Sequence, residues 1–311
     1  EIMAKRKQAK IPEQMSLSNT GETEEADFTG LQEEYTRLAA LPKGGGIKIK
    51  RKNKLLCLQW NLCGIAAQTK SGDAKGLGQF LKMWDADIIL LNEIKAQDDA
   101  LKDILTIRRR FEFKHVSSTL SINNQSMRGT AILYRNRPTK FTVTGSNFVT
   151  LEDKGDKQAI EIIYIDVKMT STEKKYRFIC CYVVSRNKRN FDSAMQQIMK
   201  WANEEGIETI VTGDFNMNKS KYSPLFAEKG FIDTPKAEWA TNKNNGSTSQ
   251  IDYVMRHSGF DQSRILCHKP QEPTGCVNAH FPIPFVVGEG ANPDSPVGYC
   301  TSSACIFKCH Q

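Results

Sequence analysis

The sequence predicts an α/β protein in which two mixed sheets pack face to face with helices outside. Three observations lead there. Between residues 55 and 287, short β-branched and aromatic runs outnumber helical stretches. The helical patterns fall between some of these runs instead of following them all. Polar residues recur in or at the ends of the apolar runs, the pattern of a sandwich whose rim carries a site.

Residues 1–54 are rich in Lys, Glu, Ser, Thr and Gln, and are expected to be largely disordered. A short helix fits 29–40, where Leu31, Tyr35, Leu38 and Leu41 follow at near-helical spacing. Gly44-Gly45-Gly46 reads as a hinge. The basic run Lys48, Lys50, Arg51, Lys52 and Lys54 reads as a solvated linker, a phosphate-contacting arm or a nuclear targeting signal.

The folded domain is expected over 55–287. A strand at 55–60 ends in Asn61-Leu62-Cys63-Gly64, and a helix at 77–85 puts Leu77, Phe80, Leu81 and Trp84 on one face. A strand at 87–91 ends in Asn92-Glu93 and precedes a helix at 96–105. Strands follow at 111–116, 130–134, 141–143, 160–168 and 176–184. The clearest helix is 191–205, with Met195, Ile198, Met199 and Ala202 inward. Strands at 209–212, 251–255, 264–268 and 281–287 close the domain.

From 288 to 311 the composition shifts to Gly, Pro, Asn and Ser, and a poorly packed tail is expected. Its Cys300, Cys305, Cys309 and His310 match no usual zinc spacing.

The formal net charge of +8 favours an anionic partner without naming it. No run of about twenty apolar residues occurs, so no spanning helix is expected. The first residues carry no signal-peptide pattern, and the start at Glu1 fits a fragment or a processed piece. Of nine cysteines, Cys57, Cys63, Cys180 and Cys181 lie in or beside apolar runs, which fits a reducing, intracellular compartment.

The densest chemistry is Gly213-Asp214-Phe215-Asn216-Met217-Asn218, directly after Ile210-Val211-Thr212. Alternation along an extended chain places Asp214 and Asn216 on one side. A carboxylate beside a carboxamide offers a base or metal ligand next to an oxyanion donor; the same residues also suit a polar turn. Asn61, Glu93, Tyr182, Asp252 and His280 occupy similar positions at strand ends. Each alone has a structural explanation, such as a turn cap for Asn61 or an Asp252–Arg256 pair. Seven together point to one polar rim.

Taken in order, Trp60-Asn61, Leu91-Asn92-Glu93, Gly129-Thr130-Ala131-Ile132-Leu133, Tyr182, Gly213-Asp214-Phe215-Asn216, Ile251-Asp252-Tyr253 and His280-Phe281-Pro282-Ile283 form a recognisable set. Over 55–287 the chain resembles the endonuclease/exonuclease/phosphatase superfamily, nearest in flavour to the apurinic-type endonucleases of LINE-like retrotransposons. The resemblance implies a four-layered α-β-β-α sandwich and a metal-dependent phosphodiesterase that nicks duplex DNA along its backbone. It implies Glu93 as ligand for Mg²⁺, with Mn²⁺ as an alternative. Asp214 would orient the attacking water, Asn216 and Asn61 would position by hydrogen bonds, His280 would contact the phosphoryl oxygen, Asp252 would hold its imidazole, and Tyr182 would lie against the phosphate.

Arg108-Arg109-Arg110, Lys219 and Lys221 are candidate backbone contacts. Nothing indicates an oligomeric state. A nuclear location fits the basic run and a DNA substrate.

Three positions depart from the family pattern: Ala279 stands where an Asp precedes the histidine, Ser185 where an asparagine follows the tyrosine, and Cys63 where repair relatives carry an acid. Ala279 implies reduced activity; Cys63 favours simple nicking over abasic repair. The alternatives are an inactive nucleic-acid- or protein-binding relative, or a phosphatase of the same superfamily. The Pro-Ala-Trp-Cys-Asp-Arg box of phosphoinositide phosphatases and the Tyr/Phe-x-Asp-Asp box of a polymerase are both missing from this sequence.

Overall fold

The computed structural model describes residues 53–64, 86–95, 111–116, 129–153, 156–184, 188–234, 239–244, 247–261, 264–270, 280–289 and 291. The expected helices at 29–40, 77–85 and 96–105, Lys48, Lys50, Arg51 and Lys52, Arg108 to Arg110, Ser185, Ala279 and the cysteine tail all lie outside these residues.

The described strands are β1 (Lys54–Asn61), β2 (Ile88–Asn92), β3 (Phe111–Val116), β4 (Thr130–Arg135), β5 (Phe141–Asp153), β6 (Asp156–Met169), β7 (Lys175–Val183), β8 (Ile207–Asp214), β9 (Phe231–Asp233), β10 (Asn242–Asn244), β11 (Ser247–Ser249), β12 (Asp252–His257), β13 (Ile265–Cys267) and β14 (Ile283–Gly288). Among the described residues two helices join them, α1 (Lys188–Ala202) and α2 (Lys219–Glu228). One six-stranded sheet runs β13-β14-β1-β2-β4-β3, the other β5-β6-β7-β8-β12-β9, and β10 with β11 makes a separate hairpin. Both large sheets are mixed: β1–β2 and β7–β8 are parallel, the other pairs antiparallel. This is the predicted sandwich of two mixed sheets flanked by helices.

Period-two alternation assigns each strand residue to a layer. Leu55 and Cys57 of β1, Ile88 and Leu90 of β2, Phe178 and Cys180 of β7, Ile210 of β8 and Val254 of β12 form the core between the sheets. Leu56, Leu58, Trp60, Ile89 and Leu91 face the other way, onto the outer side of the first sheet. Ile179, Cys181, Val211, Tyr253 and Met255 meet α1 and α2 on the outer side of the second. On α1 the buried residues Phe191, Ala194, Met195, Ile198 and Ala202 recur at three- and four-residue intervals. Each apolar side chain fully buried this way is worth about 1.5–3 kcal/mol.

Some boundaries differ from expectation. β5 continues ten residues beyond the expected 143 because a register shift between Val143 and Gly145 lets the Thr-Gly-Ser-Asn stretch, which reads as a turn, stay paired with β6. α1 begins three residues before 191 and stops at Ala202, short of Gly206 with φ 76°. α2 was not expected, because Pro224 lies inside it and proline ordinarily breaks a helix.

Candidate active site

The inward rows of the strands change from apolar to polar at one rim. Beyond Leu55 and Cys57, β1 presents Gln59 and Asn61; beyond Ile88 and Leu90, β2 presents Asn92; beyond Phe178 and Cys180, β7 presents Tyr182; beyond Ile210, β8 presents Thr212 and Asp214. Tyr182 stands opposite Asp214, and Asp214 opposite Asp252, in the sheet register. Two parallel pairs, β1–β2 and β7–β8, bring their C-terminal ends to this rim.

The side chains form one network. The Asn61 amide donates to Glu93 Oε1 at 3.0 Å and to Asp214 Oδ2 at 2.9 Å. Tyr182 donates its hydroxyl to Glu93 Oε1 at 2.8 Å, and Lys95 Nζ lies 2.5 Å from Glu93 Oε2. Asp214 Oδ1 accepts the Asn216 N–H at 2.7 Å. His280 Nδ1 lies 2.9 Å from Asp252 Oδ2, and its Nε2 lies 4.0 Å from Asp214 Oδ2. The structure thus brings together Asn61, Glu93, Tyr182, Asp214, Asn216, Asp252 and His280, although Asn61 and Asp214 are separated by 153 positions of sequence.

The backbone is bent to achieve this. Of five described non-glycine residues with positive φ, four flank the site: Cys63 (51°), Glu93 (48°), Lys95 (45°) and Asn216 (51°). Such strain clusters where side chains must be aimed. Extended-chain alternation therefore ends at Phe215. Asn216 reaches the site from a turn, and its amide donates to the Val183 carbonyl at 2.7 Å. Gly213 has φ 136°, and a Cβ there would sit 1.8 Å from the Cys181 carbonyl oxygen, so only glycine fits.

Burial pushes the Asp214 carboxyl well above the usual carboxylate range, the Asp252 carboxylate adds to this, and His280 opposes both. For His280, burial disfavours the imidazolium, but the charge and hydrogen bond of Asp252 override it and raise the pKa. Burial likewise works to raise Glu93, and the bonds from Asn61, Lys95 and Tyr182 turn the net shift downward. Asp214 thus holds its proton more tightly than an ordinary carboxyl, His280 is favoured as an imidazolium, and Glu93 is favoured as an anion.

Donor atoms of Asp214, Asp252 and His280 lie within 4.8 Å of one another. Asp252 Oδ1 is buried with no hydrogen-bond partner. Two carboxylates, one with this unpartnered oxygen, and an imidazole that has given up its proton would fit a divalent cation. This set differs from Glu93, the ligand expected from the sequence; Asn61 joins the two by bonding both Glu93 and Asp214.

Two buried residues of the site have no role in the sequence reading, although Asn92 is part of the Leu91-Asn92-Glu93 motif. Asn92 accepts the Asp214 N–H and Gln59 Nε2, each at 3.3 Å, and donates to the Cys181 carbonyl at 3.2 Å, tying the first sheet to the second. Thr241 bonds the start of β12. Asn92 precedes Glu93 at a strand end, a signal that was available; Thr241 lies in a polar loop and offers none. Lys219, expected to touch phosphate, is 2% exposed and pairs with Asp233 at 2.9 Å. Asp252 pairs with His280 and not Arg256, whose guanidinium donates to the Phe260 carbonyl.

A rim of acids, amides and a charged histidine on two packed mixed sheets supports a metal-dependent phosphoesterase-type hydrolase. Residues 58–274 match the endonuclease/exonuclease/phosphatase family, and the chain belongs to that family. No curated protein matches the chain in sequence. Among solved structures, an endonuclease/exonuclease/phosphatase family protein from Bacteroides thetaiotaomicron shares 18% identity at a TM-score of 0.60, covering 76% of this chain and 98% of that one. A mannosyl-6-phosphatase from Bacteroides thetaiotaomicron shares 17% at 0.57, covering 75% and 99%. D. rerio TDP2 complexed with a single-strand DNA product shares 15% at 0.56, covering 75% and 98%. At these identities the likeness is one of fold.

Proposed function

We propose that the chain is a metal-dependent phosphodiesterase that nicks duplex DNA, of the type carried by LINE-like retrotransposons. The observation that carries this is the single Asn61 amide holding Glu93 and Asp214 together beside the buried Asp252–His280 pair. The net charge of +8 suits a polyanionic backbone.

Asp214 accepts the proton of the attacking water. Its raised pKa suits a base near neutral pH, and its two oxygens are fixed by Asn216 and Asn61. His280, kept cationic by Asp252, faces the charge that develops on the phosphoryl oxygen. Both Asn61 N–H groups are engaged with carboxylates, so Asn61 positions those groups and does not donate to substrate. Tyr182 acts through its bond to Glu93. Glu93 would hold a divalent cation beside the protonated His280, or Asp214, Asp252 and His280 would hold it in place of the His280 proton; either would supply charge neutralisation and an acidified water. Oxygen-rich donors suit Mg²⁺, with Mn²⁺ as alternative.

Ala279 favours a second reading, a relative that binds without cutting. Supercoiled plasmid with Mg²⁺ and with EDTA, applied to the chain and to Ala279→Asp, separates the two. We expect slow nicking by the chain, and about a hundredfold to thousandfold more by the variant, the size of one lost transition-state group. Tight DNA binding without nicking by either protein favours the binding relative. Phosphate release from sugar or lipid phosphates without nicking favours a phosphatase. The basic run at 48–54 fits a nuclear location. Proposed boundaries are 1–54 for the polar arm, 55–287 for the catalytic domain and 288–311 for the tail.

A further inference from the structure

We infer that Thr241 is a positioning residue that sets the Asp252–His280 pair; this rests on the phosphodiesterase reading. Thr241 is buried, and its Oγ1 accepts the backbone N–H groups of Ile251 and Asp252, both at 3.1 Å. Its carbonyl accepts the N–H of Phe281, the residue after His280, at 2.7 Å, and its own N–H donates to the Ser249 carbonyl at 2.9 Å. One residue thus holds the first peptide of β12 and the segment carrying His280, which are 28 positions apart. The neighbouring Asn242 forms the backbone bridge to His280 itself, and Trp60 Nε1 donates to the His280 carbonyl at 3.1 Å.

Asp252 sits at the start of its strand, where its own N–H and that of Ile251 turn to the Thr241 hydroxyl. Without the hydroxyl these two buried donors lose their acceptor, and the strand end must shift to satisfy them. The 2.9 Å contact between Asp252 Oδ2 and His280 Nδ1 then loosens, and with it the orientation of the ring. Small misplacements of this kind cost rate more than binding, about tenfold to a hundredfold in kcat.

The test uses the full chain and one readout that does not depend on activity. The His280 Nδ1 proton, held against Asp252, is sought at low field by proton NMR and identified by its loss in His280→Gln. The wild type and Thr241→Ser, which keeps the hydroxyl, are expected to show it sharply. Thr241→Val is expected to show it broadened or shifted upfield, with kcat for nicking reduced about tenfold to a hundredfold at unchanged KM. Should the valine variant fail to fold, Thr241→Ala against Thr241→Ser isolates the hydroxyl. An unaltered signal and kcat in the hydroxyl-free variants overturns the inference, as does a wild type without the His280 proton. If the wild type shows the proton but neither it nor Ala279→Asp nicks DNA with metal, the phosphodiesterase reading fails, and the NMR comparison still decides the role of Thr241.

Discussion

Asp214 and His280 both bind their protons more tightly than usual, for different reasons. His280 has a carboxylate 2.9 Å away, whereas Asp214 has that imidazole no nearer than 4.0 Å and a second carboxylate behind it. A buried acid whose folded pKa is raised favours the fold below its unfolded value of about 3.9 and loses that contribution as pH rises through the folded value. Asp214→Asn is therefore expected to unfold at higher urea than the parent at pH 8, with the gap narrowing toward pH 4. The same substitution should reduce nicking about a hundredfold or more, because the proton acceptor is gone. An unfolding gap that widens toward acid would show that Asp214 is stabilised as an anion. At neighbouring Gly213, alanine adds a backbone clash to a forbidden φ; Gly213→Ala is expected to cost about 3 kcal/mol or more, read as a fall in thermal midpoint.

At the scale of elements, α1 supports the second sheet from outside. Phe191 meets Phe226 of α2 edge-on at 4.9 Å and Tyr222 at 6.0 Å. Phe191→Ala should cost about 3–5 kcal/mol while leaving kcat unchanged where the protein stays folded. Changed kcat with intact stability would mean that the helix couples to the rim. The inner strands were legible because their apolar rows alternate cleanly. The same alternation located Asn61, Tyr182, Asp214 and Asp252, which end those rows. What sequence could not show depends on turns and distant pairing. Asn216 enters from a left-handed turn, α2 hides behind Pro224, and Thr241 acts through backbone groups whose partners are fixed only when the sheets close. Glu93 was visible as a strand-end acid, but its bonds to Asn61, Tyr182 and Lys95 were not.

At the scale of the whole molecule, 43 basic residues against 35 acidic ones leave the chain a net polycation. The proposal therefore predicts duplex binding that weakens steeply with added salt, through counterion release, and that survives the loss of Asp214. Affinity indifferent to salt would argue against backbone contacts. No described helix is long and apolar enough to cross a membrane. Hydrolysis of phosphodiesters at the sandwich rim, with Asp214 as base and a divalent cation in place, is measured by single-turnover nicking of plasmid by Ala279→Asp in EDTA, then with Mg²⁺ restored, beside the same protein also carrying Asp214→Ala. No cleavage is expected in EDTA, cleavage on adding Mg²⁺, and at least about a hundredfold loss in the double variant. Equal cleavage with and without Mg²⁺, or an undiminished rate without Asp214, would contradict it.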